Sequence, residues 1–129
     1  MKGNATMGGS DRESYDFIKD ETDPITIIRL LNDALRCRGL GGQLAITRGV
    51  LALGESIVPQ VVEAVRTFDA FTPDNDPYGE HDFGSIEIAG SKIFWKIDYY
   101  DHNLQWGSPD PADPAVTSRV ITVMLASEY

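Results

Sequence analysis

Two strand-like runs, Phe83 to Ile88 and Lys92 to Tyr100, meet at Ala89-Gly90, and this constrains the fold more than any other stretch. A two-residue turn there pairs Ile88 with Ser91 and sets the register of the hairpin. Ile86 then faces Ile93, Glu87 faces Lys92, and Gly84 lies opposite Trp95, where a missing side chain leaves room for an indole. One face is apolar (Ile86, Ile88, Ile93, Trp95, Ile97) and the other carries Glu87, Lys92, Phe94, Lys96 and Asp98. A slip of one residue would exchange the faces.

The elements around the hairpin follow from caps and spacing. Asp23 caps and Pro24 opens a first helix whose apolar face is Ile27, Ile28, Leu31, Ala34 and Leu35. Gly39 ends it. Gly39 to Gly42 is a loop that follows a helix, and neither GxxxxGK[ST] nor GxGxxG is present, so it lacks the setting of a phosphate cradle. Gln43 to Thr47 reads as a short strand. Ser56 is the expected cap of a second helix, with Pro59 in its first turn and Val58, Val61, Val62, Val65 and Phe68 on its buried face. Leu104 to Trp106 reads as a short returning strand. Asp113-Pro114 repeats the first cap, and Val116, Val120, Val123 and Met124 predict a final helix ending near Glu128. The expectation is an α+β fold: a small antiparallel sheet of three to four strands, with Gln43–Thr47 at an edge and two or three helices packed on one face. Residues 1–22, poor in apolar side chains, read as a disordered tail, and 23–129 as a single domain.

Charge is distributed unevenly. Asp69 to Asp113 holds ten carboxylates and two lysines, which is −8 of the chain's formal −9. It also holds both histidines and both tryptophans. Such a balance argues against direct contact with a nucleic-acid backbone and favours a basic protein partner, a cation, or plain solubility. No apolar run is long enough to cross a bilayer, no signal peptide is legible, and the single Cys37 has no disulfide partner, so a cytoplasmic protein without membrane contact is expected. Cys37 lies between two arginines, but no histidine is near it in sequence, and an idle thiol is the expectation.

Three chemistries suit the acidic segment. Asp76, Glu80, His81 and Asp82 are the candidate ligands of a divalent cation, although the spacing matches neither an EF-hand nor HExxH. His81 and Asp98, with Glu80, are the candidate catalytic groups of a small hydrolase, metal-assisted or not. In that reading His81 and Asp98 pair across the hairpin, and Lys96, Tyr99 or Tyr100 polarises the substrate. GxSxG is absent. The third chemistry is recognition: Asp74, Asp76, Tyr78, Glu80, His81, Asp82, Lys96, Asp98, Tyr100 and Asp101 form an aromatic and acidic surface suited to a basic partner.

The strings Phe71-Thr-Pro-Asp-Asn-Asp-Pro-Tyr-Gly-Glu-His-Asp-Phe-Gly84, Ile93-Phe-Trp-Lys-Ile-Asp-Tyr-Tyr-Asp101 and Gly107-Ser-Pro-Asp-Pro-Ala-Asp-Pro114 resemble a bacterial domain-of-unknown-function family, number 3768, of small acidic proteins. The resemblance runs from Asp23 to Tyr129. It implies a setting on plasmids and other mobile elements, where counter-defence proteins are common, and it implies no activity. The expected function is therefore a non-enzymatic acidic interaction protein with no cofactor. It would bind a basic protein surface, in a nucleic-acid-mimic or counter-defence role. The hydrolase is the first alternative, and a structural or regulatory subunit the second. The sequence does not give an oligomeric state.

Overall fold

A computed structural model of the protein describes residues 23–129; the tail read at 1–22 lies outside the described residues. The Asp23 carboxylate accepts the Thr26 amide at 2.9 Å and starts α1, Pro24–Arg38. Gly39 ends it in the left-handed conformation at φ 70°, where a side chain would be strained. β1 (Gln43–Ile46) follows, then a single turn, α2 (Arg48–Leu51), and α3 (Val58–Arg66). Ser56 does not cap α3. Its N-cap is Ile57, without a side-chain hydrogen bond, while Pro59 occupies the first turn as expected.

The hairpin forms β2 (Phe83–Ile88) and β3 (Ser91–Tyr100) in the expected register: Ile88 pairs with Ser91, Ile86 with Ile93 and Gly84 with Trp95. A Cβ on Gly84 would collide with the Trp95 indole, so the glycine is required there. The turn residues Ala89 and Gly90 both have positive φ, 53° and 80°, the twist that a two-residue hairpin needs.

The end of the chain departs from expectation. Ser118–Leu125 is not a helix but β4, and it lies inside the sheet, whose strand order is β1-β4-β3-β2. Val120, Ile121, Thr122 and Val123 are all β-branched, stiff at χ1 and suited to a pleated surface. Arg119, Ile121 and Val123 are buried at a period of two. The helical spacing of Val116, Val120 and Met124 was coincidental. Asp113 does cap, accepting the Ala115 amide at 2.9 Å, but only a 3-10 turn follows, Pro114–Val116. Leu104–Trp106 is not a strand either: Asp101 folds this segment into a turn, leaving one isolated bridge between Tyr100 and Gly107. β1 is the edge strand expected, but it runs parallel to β4, so the sheet is mixed.

Helices pack on one face of this α+β sheet. Trp95, Ile93, Val123, Val61 and Val50 are fully buried between sheet and helices, with Leu35, Val65, Ile97 and Ile121 around them. Removing the Trp95 side chain is worth roughly 3–5 kcal/mol in a core of this kind. The other face carries Phe83, Phe94 and Met124, with the ring of Tyr129 lying 5.5 Å from that of Phe94.

Candidate functional site

The acidic loop is held down by a helix. Arg29, Asn32, Asp33 and Arg36 recur at i, i+3, i+4 and i+7, so they form one polar stripe along α1. Arg29 Nη1 donates to the Gly79 carbonyl at 3.0 Å, Asn32 Nδ2 to the Glu80 carbonyl at 3.0 Å, and Asp33 meets His81 Nδ1 at 2.8 Å. Three consecutive loop residues are thereby fixed by one helix face. Arg36 completes the stripe, donating to Asp33 Oδ1 at 3.1 Å and to the Phe68 carbonyl at 3.1 Å. Its guanidinium lies 5.1 Å from the rings of both Phe71 and Trp95.

Beneath the loop lies a buried polar network. Asn32 is fully buried; its Oδ1 accepts Arg119 Nε at 2.7 Å and its Nδ2 also donates to the Tyr99 hydroxyl at 2.9 Å. That hydroxyl donates to Glu80 Oε1 at 2.7 Å. The Arg119 guanidinium stacks 4.9 Å over the Tyr99 ring and donates to the Pro111 carbonyl. Burial holds the Tyr99 hydroxyl well above its ordinary pKa and pulls Arg119 below the ordinary guanidinium value. An arginine so lowered stays charged at neutral pH. A buried cation is therefore linked to the Glu80 carboxylate through Asn32 and Tyr99, each link hydrogen-bonded as the low dielectric demands.

His81 does not pair with Asp98. Its φ of 56° turns the chain out of the strand, so β2 starts only at Phe83 and register no longer decides where the imidazole goes. The ring stacks on Phe71 at 3.7 Å, Nδ1 meets Asp33, and Nε2 faces the Asp76 carboxylate at 3.6 Å. Asp76 also accepts the His81 amide at 3.1 Å. Both ring nitrogens are thus taken up by carboxylates. Asp98 lies instead on the open face of the sheet, bonded to Lys96 at 2.7 Å, while its neighbour Tyr99 points to the helix side. The expected catalytic group of His81, Glu80 and Asp98 is divided between two faces. Among the described residues no three His, Cys, Asp or Glu side chains come together to hold a metal ion, Asp76, Glu80, His81 and Asp82 included.

What the sheet edge does gather is negative charge. Burial, and then the carboxylates of Glu80, Asp76 and Asp98, raise the Asp82 carboxyl above its ordinary pKa. The nearby cation Lys96 is itself held protonated by Asp98. Asp74 is exposed, Tyr78 is 75% exposed and Tyr100 is half-buried on the open face. Asp101 accepts the Gln105 amide at 3.1 Å and shapes the turn that presents Trp106, itself 73% exposed.

These segments carry the chain's classification. A family model, described as protein of unknown function (DUF3768), matches residues 46–128. The chain belongs to that family. The DUF3768 match takes in the hairpin, the acidic loop and β4, and leaves out α1 and most of β1. Glu80, His81, Tyr99 and Arg119 thus lie inside the matched segment, while their partners Asn32 and Asp33 lie outside it. No curated protein and no solved structure matches the chain. No helix among the described residues is long and apolar enough to cross a membrane.

Proposed function

We propose that this DUF3768 protein is a non-enzymatic interaction protein that binds a basic protein surface, of the kind that holds nucleic acid, through the acidic edge of its hairpin. The observation that carries this reading is the concentration of ten carboxylates against two lysines between Asp69 and Asp113, where Glu80, Asp76 and Asp98 add their repulsion to the burial that raises the Asp82 carboxyl. A partner's lysines or arginines would relieve that repulsion, so the charge arrangement favours a cationic ligand. Tyr78, 75% exposed and two residues before Glu80, supplies an aromatic anchor of the type that dominates interface energetics. The loop is fastened to α1 by Arg29, Asn32 and Asp33, so little ordering entropy would be lost on docking. The mobile-element setting implied by the sequence resemblance suits such a role.

The test is calorimetric titration with an arginine-rich peptide at low and at moderate salt. Binding that weakens as salt is added is expected. Asp82→Lys and Tyr78→Ala should each weaken it about tenfold, the scale of a modest interface anchor. Binding that ignores both substitutions, or no binding at low salt, refutes the proposal.

A further inference from the structure

A second site of opposite charge lies between the ends of α1 and α3, across the edge of the sheet. Its floor is apolar, formed by Leu35 of α1, Val62 of α3, Leu44 of β1 and Ile121 of β4. Its rim carries Arg38 and Arg66, and no carboxylate lines it. The two arginines close the last turns of their helices, where a cation complements the helix dipole. Because both helices end here, both arginines line one cleft. Both side chains are exposed, and among the described residues neither makes an ion pair. Arg36 also lines the cleft, but Asp33 already pairs with it. In a chain of net charge −9, a cleft with cations and no acid is a local reversal of sign.

The cleft has a volume of about 300 Å³. That is the space of about ten water molecules and lies at the small end of ligand sites. Leu44 belongs to the core-facing side of β1 yet is 52% exposed, because the cleft leaves it uncovered. Four residues of β1 offer too short an edge to hold a peptide by strand pairing alone. We infer that this cleft binds a small amphipathic anion: an apolar chain of roughly eight carbons lying on Leu44, Val62 and Ile121, with its carboxylate between Arg38 and Arg66. The assignment stands apart from the acidic hairpin edge, which is built from other elements and has the opposite charge.

The probe is octanoate, with octanol and octylammonium as neutral and cationic controls, followed by amide chemical shifts of the full chain. Octanoate should give saturable shifts at Leu44, Val62 and Ile121. Octanol should bind about tenfold more weakly, the worth of one charge-assisted hydrogen bond. Arg38→Ala with Arg66→Ala should reduce octanoate to the level of octanol, with the fold retained and only the small loss of melting temperature expected from two helix-dipole contacts. Leu44→Glu, at an exposed position, should abolish octanoate binding while the fold is retained. Three outcomes overturn the assignment: octanol binding as tightly as octanoate, the double arginine variant binding octanoate unchanged, or no saturable shift with octanoate. Shifts at the same amides produced only by an acidic apolar peptide would also overturn it, and would assign the cleft to a protein partner. All of these readouts are independent of arginine-peptide binding at the hairpin edge.

Discussion

In its ionised form Asp82 is destabilising where it stands. Burial and three neighbouring carboxylates raise its carboxyl in the folded chain, so the folded state holds this proton to higher pH than the unfolded state does. Stability contributed by the protonated group is complete below the ordinary carboxylate value of 3.8 and is lost as pH rises through the raised value. Asp82→Asn should therefore raise the melting temperature at pH 7, with the gain shrinking to nothing in acid. A variant less stable than the parent at pH 7 would contradict this account. The same scale shows which side-chain chemistry was legible. Gly84 opposite Trp95 followed from a turn length and a pairing rule. His81 did not follow, because its positive φ takes it out of the ladder that made register predictive.

At the level of elements, a C-terminal clasp holds α2. Glu128 Oε1 accepts the Thr47 hydroxyl at 2.6 Å and the Leu125 amide at 2.8 Å, while Oε2 accepts the Gly49 amide at 3.2 Å. The Thr47 hydroxyl, then the Leu125 and Gly49 amides, hold the Glu128 carboxyl below its ordinary pKa. Its contribution is present above the ordinary glutamate value and is lost as pH falls through the lowered one. Glu128→Gln should thus lower the midpoint of urea unfolding at pH 7, and the difference should shrink as pH is taken below the ordinary glutamate value of 4.5. A Cβ on Gly49 would lie 2.6 Å from that carboxylate, so Gly49→Ala should lower the midpoint as well by forcing the clasp open. Equal stability of Gly49→Ala and the parent would show that the clasp does not hold α2. Strand β4 is not legible in the sequence for a physical reason. Alternation and helical spacing coexist in Ser118–Leu125, and the β-branched run decides only once β1 and β3 supply partners on both sides.

Across the whole molecule, Asn32 is the node that joins α1 to the acidic loop, β3 and β4. Replacing it with alanine leaves Arg119 Nε and the Tyr99 hydroxyl short of partners in a buried setting. Asn32→Ala should cost about 3 kcal/mol in urea unfolding, the scale for unsatisfied buried groups next to a charge. It should also loosen the loop at Glu80, read as faster hydrogen exchange there. A cost below about 0.5 kcal/mol would make the network incidental. By itself the sequence determined what local chemistry can specify: the Asp23 cap, the stop at Gly39, the hairpin and its register, and the concentration of acid between Asp69 and Asp113. Each is a property of one contiguous stretch of chain. Packing in three dimensions sets the partners of Glu80 and His81, the cleft that Arg38 and Arg66 share, and the parallel pairing of β1 with β4. Those contacts join residues that are not sequence neighbours, such as the 87 positions between Asn32 and Arg119. No spacing rule reaches that far, because chain closure over such a distance is set by packing of the whole core.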